Sequence, residues 1–174
     1  MVGEIEELVI KPNIELTENE VEEIHQLVIE CFFTGEFAEQ GKPPTLEETK
    51  MGMMGLDICL MYLMKRDGKI VGMAELYNDL NKPDLKFVLT NKEIGENVCS
   101  MGVLKTYRRR RIATRILLKI IEDFGGQMDL VLNVHGQRPN TEKLIRFYKS
   151  AGFTLVLGIE DDPEEYYLRW SPLE

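Results

Sequence analysis

The run VCSMGVLKTYRRRRIATRILLKIIEDFGG, residues 98 to 126, constrains the fold more than any other stretch of the chain. An apolar segment feeds directly into four consecutive arginines, and the arginines feed directly into a helical pattern. Ile112, Ile116, Leu117, Ile120, Ile121 and Phe124 recur on one helix face, and Gly125-Gly126 ends the pattern. One side of this helix must therefore be buried while its first turn adjoins the basic cluster. Four like charges side by side repel one another, so a folded chain keeps them together where solvent screens them or where an anion sits among them. The first N–H groups of a helix have no partner inside it, and the helix dipole adds positive potential at the same place. Arginines there add bidentate donors suited to phosphate oxygens, and a diphosphate is the fitting guest.

The rest of the chain is acidic. The 174 residues carry a formal charge of −9, with thirteen acids against three bases in residues 1 to 50 and seven bases without an acid from Lys105 to Lys119. A general nucleic-acid binder is disfavoured, because the long-range field repels phosphate away from that one patch. A cationic substrate fits such a field, and solubility alone explains the acid equally well. Cys31, Cys59 and Cys99 are scattered, and with only His25 and His135 as nitrogen donors no zinc spacing or disulfide framework emerges. The opening MVGEIEEL has acids where a secretory signal needs bases, and GLDICLMYLM is too short to span a bilayer. A cytoplasmic chain with reduced thiols, away from the membrane, is expected. The length suits one domain over 1–174.

Along the chain, EELVIKPNI reads as a short strand stopped by Pro12. Thr17 with Glu20 forms a capping-box pattern, and Val21, Ile24, Val28, Cys31 and Phe32 predict a helix to about Phe33. Thr45 with Glu48 opens a weaker helix whose Met51, Met53 and Met54 are expected to fill core gaps. Two apolar runs around Asp67-Gly68 predict a hairpin. VCSMGVL, DLVLNV, FTLVLGI and EYYLRW read as strands, and NTEKLIRFYKSAG as a helix. This order predicts a mixed α/β sheet, with parallel pairing where two strands flank the central helix.

At VLKTYRRRRIA the sequence resembles the GNAT superfamily of N-acetyltransferases, which use acetyl-coenzyme A. Val103, Tyr107, Arg108 and Ala113 stand in the family pattern, with Arg111 in the usual glycine place. A second family segment, a helical Tyr followed by Gly-Phe, is matched by Tyr148, Gly152 and Phe153. The resemblance implies a GNAT-like fold: a mixed, mostly antiparallel sheet of about seven strands with helices on both faces. It implies acetyl transfer from acetyl-coenzyme A to a primary amine, from a small molecule or a protein, with no nucleic acid or membrane as partner and a homodimer left open. The alternative is a catalytically degenerate module of the same fold that binds or senses.

By the same resemblance, the backbone of Met101, Gly102 and Val103 would meet the thioester and pantetheine, with Gly102 leaving room. The loop and helix start, Arg108, Arg109, Arg110, Arg111, Ile112, Ala113 and Thr114, would hold the diphosphate. Arg111 either takes a strained conformation or turns its side chain aside. Tyr148 matches the frequent general acid, whose phenol can return a proton to the leaving thiolate. Glu96, His135 and Glu75 are the candidate bases, with Asn133 as a water-positioning residue. The first two helices and the loop between them would wall the acceptor side, where Glu36, Glu39, Glu47 and Glu48 suit a cationic amine. Asn140 is expected only to cap the helix behind Pro139.

Overall fold

The computed structural model describes residues 6–34, 42–53, 59–77, 95–124, 129–135, 140–156 and 165–171. Seven strands follow the order β1-β2-β3-β4-β5-β7-β6. They are β1 (Glu6–Pro12), β2 (Cys59–Arg66), β3 (Lys69–Tyr77), β4 (Gly95–Val103), β5 (Asp129–His135), β6 (Thr154–Val156) and β7 (Glu165–Trp170). The helices are α1 (Glu18–Val28), α2 (Leu46–Met53), α3 (Ile112–Phe124) and α4 (Thr141–Ser150). The predicted mixed α/β sheet is thus observed. Its antiparallel pairs include β1 with β2, β2 with β3, β5 with β7 and β6 with β7, while β4 runs parallel to β5.

The chain divides into two compact units, Met1–Tyr77 with Ser100–Ile116, and Asn78–Cys99 with Leu117–Glu174. In the first unit, β2 and β3 form the predicted hairpin. Asp67 at φ 50° and Gly68 at φ 82° make the left-handed turn that their residue types favour. Met61 to Met64 on β2 are all buried, so this inner strand is covered on both faces and reads as an unbroken apolar run. Val9, on the neighbouring β1, packs against the core that Ile24, Leu27, Met53, Met61, Leu63 and Met73 share.

Helix α1 begins at the predicted capping box. Thr17 Oγ1 accepts from the Glu20 amide at 3.3 Å, and Glu20 Oε2 accepts from the Thr17 amide at 2.8 Å. Its α-helical part stops at Val28, and a π-helical turn, Ile29–Phe33, completes the predicted length. Helix α2 buries Met53, whereas Met51 is 62% exposed, contrary to the expected core role; it lies on the helix side away from Thr49 and Met53. Met54 lies outside the described residues.

In the second unit, β4 and β5 pair through Gly95–Asn97 and Asp129–Val131. β7 then lies between β5 and β6. Leu130, Leu132 and Leu168 are buried along this ladder. Helix α4 starts after a buried Asn140, whose side chain makes no cap hydrogen bond; its carbonyl accepts from the Leu144 amide at 3.0 Å. Gly152 follows the helix at φ 97°, and a Cβ there would stand 3.1 Å from Trp170 Nε1. Only a glycine suits both the conformation and the close indole.

Candidate functional site

The basic loop lies in the first unit, between the end of β4 and the start of α3. Leu104 leaves β4 with its amide donating to the Val71 carbonyl at 3.0 Å, and a 3₁₀ turn, Lys105–Tyr107, follows. The bulge that makes this possible is in β3. Gly72 stands opposite Met64 and Ile70 opposite Lys65, so Val71 is an extra residue between them.

From Arg108 the backbone alternates in hand. Arg108 is extended at φ −63°, ψ 159°, Arg109 lies at φ 65° and Arg111 at φ 61°, and helix α3 begins at Ile112. Left-handed residues interleaved with ordinary ones turn successive N–H groups toward one side, which makes a concave anion site. The helix N-terminus beside it adds its own unpaired amides. Arg111 therefore takes the strained conformation of the two alternatives left open by its place in the pattern. A glycine would adopt it without the Cβ penalty.

The four arginines differ in what their side chains do. Arg108 is half-buried, and its Nε donates to the Val103 carbonyl at 3.0 Å. Its guanidinium also acts on the Cys31 thiol, whose pKa its hydrogen bonding and charge lower. Arg110 stacks on Tyr107, its guanidinium carbon 5.4 Å from the ring centroid, while Arg66 lies 5.5 Å from the same centroid. Arg109 and Arg111 carry exposed side chains with no partner among the described residues. Glu6 pairs with both Arg66 and Arg115, which places one carboxylate beside the cluster. Two exposed arginines thus sit on a left-handed-interrupted loop that leads into a helix N-terminus.

Three residues that the sequence did not single out hold this loop. Gly72 is one, since a Cβ on it would stand 2.7 Å from Ile112 Cγ2 and 3.3 Å from Val103 Cγ2. Cys31 and Glu30, on the π-helical turn, are the others. Cys31 fills the open side of Gly102, its Sγ 3.1 Å from where a Cβ would be, with Leu27 Cδ2 equally close. Leu27 of α1 and Cys31 of the π-helical turn take up the space beside Gly102 that a side chain would fill. Glu30 Oε1 accepts from the Lys105 amide. Burial pushes the Cys31 thiol above its usual pKa, and the Arg108 hydrogen bond and charge only partly oppose this. A glycine placed beside an apolar helix pattern is the one signal in the sequence that could have suggested these contacts.

The other expected residues are placed as follows. Met101 and Val103 are half-buried on β4. Ile112 is buried, and Ala113 and Thr114 are half-buried on the first turn of α3. Tyr148 is half-buried on α4 in the second unit, edge-on to Phe147 at 5.1 Å and to Phe153 at 6.0 Å between centroids. Glu96 lies on β4 opposite Leu130, and His135 ends β5 opposite Glu165; their side chains lie outside the described residues. Glu75 is half-buried on β3 opposite Met61, and Asn133 is exposed on β5. Glu47 and Glu48 are exposed on α2, while Glu36 and Glu39 lie outside the described residues. A groove of about 400 Å³ in the first unit is lined by Asn19, Glu22, Glu23, His25, Gln26 and Leu46, with none of the expected site residues. Among the described residues no His, Cys, Asp or Glu cluster could hold a metal, and no helix is long and apolar enough to cross a membrane.

The sequence model of the Acetyltransferase (GNAT) family matches residues 21–153, a span that includes β4, the basic loop and α3. The chain belongs to the GNAT acetyltransferase family. Membership makes this GNAT protein an N-acetyltransferase by class, with acetyl-coenzyme A as its cosubstrate. Solved structures share its fold at low identity. An acyl-CoA N-acyltransferase from Pseudomonas aeruginosa is 16% identical, with a TM-score of 0.66 over 96% of this chain and 100% of that one. Arabidopsis thaliana NAA60, solved in complex with acetyl-CoA, is 16% identical, with a TM-score of 0.63 over 94% and 97%. The ribosomal-protein-S18-alanine N-acetyltransferase from Escherichia coli is 15% identical, with a TM-score of 0.63 over 97% of each chain. Among curated proteins none matches the GNAT chain in sequence.

Proposed function

We propose that this GNAT chain, as one cytoplasmic domain, acetylates a primary amine by direct attack in a ternary complex, with a small-molecule amine ahead of a protein. The observation that carries the reading is the alternating backbone at Arg109 and Arg111, set between the end of β4 and the first turn of α3. In this reading the amides from Arg109 to Thr114 hold the diphosphate, and the Arg109 and Arg111 guanidiniums neutralise it. The backbone of Met101 to Val103 receives the pantetheine and the acetyl carbonyl.

Acetyl-coenzyme A supplies an acetyl group activated as a thioester. The protein has three tasks: to polarise the carbonyl, to accept a proton from the attacking amine and to protonate the leaving sulfur. Backbone N–H groups of β4 serve the first. A carboxylate or imidazole, Glu96 or His135, serves the second through a water. Tyr148 serves the third, giving its phenolic proton to the sulfur as the C–S bond breaks and the C–N bond forms. A lysine-type amine, with a pKa of about 10.4, is far more protonated at neutral pH than an α-amino group near 7.8, so only the former needs a strong base.

Titration with acetyl-coenzyme A tests this reading. Binding heat and a raised melting temperature are expected for the native chain, and both should weaken when Arg109 and Arg111 are changed together to Ala. No heat at saturating cofactor rejects the reading. A panel of small amines and peptides, followed by free-thiol release, then selects the acceptor. One observation favours a second reading. A non-glycine residue held at φ 61° in the glycine place suits a degenerate module as well, and such a module would bind cofactor without releasing thiol from any amine.

A further inference from the structure

We propose that Arg108 is a positioning residue for the acyl end of the cofactor site, not a phosphate ligand, and that it works by fastening the end of β4 to the π-helical turn that closes α1. The proposal rests on the reading given under Proposed function. Its neighbours in the basic run, Arg109 and Arg111, expose their side chains, whereas Arg108 turns back along its own strand to the Val103 carbonyl, 3.0 Å from Nε, and to the Cys31 sulfur. The same π-helical turn is attached twice more. Cys31 packs into the space that Gly102 leaves open, and the Glu30 carboxylate accepts from the Lys105 amide just past the strand.

The three attachments bracket Leu104, where β4 ends and the basic loop begins. Their positions make functional sense of an otherwise irregular helix end. A π-helical turn inserts one residue into the i→i−4 ladder, and such turns recur at functional sites. Here it presents Cys31 to Gly102 within the strand and Glu30, adjacent in sequence, to Lys105 just past its end. The Val103 carbonyl is thereby held, and with it the peptide planes whose N–H groups would meet the thioester. Displacing reacting groups by even about 1 Å costs on the order of 100-fold in rate. A guanidinium is suited to this because its planar fork can serve a carbonyl and a thiol together, which a lysine ammonium cannot do in the same geometry.

The test uses Arg108→Gln and Arg108→Lys in the full chain, with the double change of Arg109 and Arg111 to Ala as the reference for lost phosphate contacts. Three quantities are read: the acetyl-coenzyme A dissociation constant by calorimetry at two salt concentrations, the rate of Cys31 alkylation by iodoacetamide by peptide mass spectrometry, and turnover with the best amine of the panel. The expected result is a dissociation constant within about threefold of the native value, with the salt dependence kept. Cys31 alkylation at neutral pH should be roughly tenfold slower, because the thiolate loses the guanidinium that lowers its pKa, and turnover roughly tenfold lower at unchanged KM for the cofactor. Lysine at 108 should behave like glutamine, because charge alone does not make the clamp.

A dissociation constant raised more than about threefold with a flattened salt dependence, as in the reference variant, overturns the proposal and makes Arg108 a phosphate ligand. Unchanged Cys31 reactivity in both variants also overturns it. If the native chain binds no acetyl-coenzyme A, the proposed function fails separately, and the alkylation rates still decide whether the clamp exists. Melting temperatures identify a variant that has lost its fold, and the lysine variant, which keeps the side-chain bulk, then carries the test.

Discussion

Gly72 on β3 faces Ile112 at the start of α3 so closely that a Cβ on the glycine would stand 2.7 Å from Ile112 Cγ2. The two residues seat the first turn of the helix against the hairpin, with Val103 3.3 Å from the same point. Gly72→Ala is therefore expected to push α3 off its seat. The cost should be about 1–3 kcal/mol, the range for overpacking a close-fitted core. Urea denaturation measures it, and an unchanged midpoint would mean that the helix start yields without cost.

Arg111 occupies a left-handed conformation that glycine adopts without strain. Arg111→Gly should stabilise the chain by up to about 1 kcal/mol, since relief of roughly 1–2 kcal/mol of backbone strain exceeds the entropic cost of the glycine. Arg111→Ala removes the charge but keeps the strain, so its gain should be smaller. Comparing the two midpoints at low and high salt separates backbone strain from charge repulsion.

Glu20 is buried beside Lys11 and Lys65, each nitrogen 2.8 Å from a carboxylate oxygen. Burial raises its pKa, but the two lysines and the Thr17 cap outweigh that and leave it at about 2. A folded pKa below the unfolded one stabilises fully above the ordinary carboxylate range, and this contribution is lost as the pH falls from about 4.5 toward 2. Glu20→Gln should cost on the order of 1–3 kcal/mol at neutral pH, as for hydrogen bonds to charged groups. It should also flatten the acid limb of the stability profile. An acid limb identical to that of the native chain would exclude Glu20 as its source.

Tyr148 keeps two edge-on aromatic neighbours that a phenylalanine would also satisfy. Tyr148→Phe should then fold normally and bind acetyl-coenzyme A as before. Turnover should fall by about 100-fold or more, the usual contribution of a general acid. Unreduced turnover at the pH optimum would assign Tyr148 to packing.

Several elements were legible in the chain alone because their cause is local, although the cap expected of Asn140 is not made by its side chain. The Thr17 and Glu20 capping box, the Asp67-Gly68 turn and the stripe from Ile112 to Phe124 each depend on residues within a few positions of one another. Their geometry follows from side-chain reach and backbone preference, which do not need the rest of the fold. The order of these elements, together with the basic loop and the Tyr148 segment, was enough to point to the GNAT family that the sequence model matches.

The differing duties of four identical arginines could not be read in this way. Arg108 turns to Val103 and Cys31, Arg110 stacks on Tyr107, and Arg109 and Arg111 stay exposed. Side-chain chemistry is the same at all four positions, so the path of the backbone and distant neighbours distinguish them. The π-helical turn and the glycines at 72 and 102 belong with these, because each answers a contact made by residues about 30 to 75 positions away. Periodicity carries a helix to Phe33 whatever it packs against. Where that helix meets β4 is a matter of volume and hydrogen bonding that arises once the strands have paired.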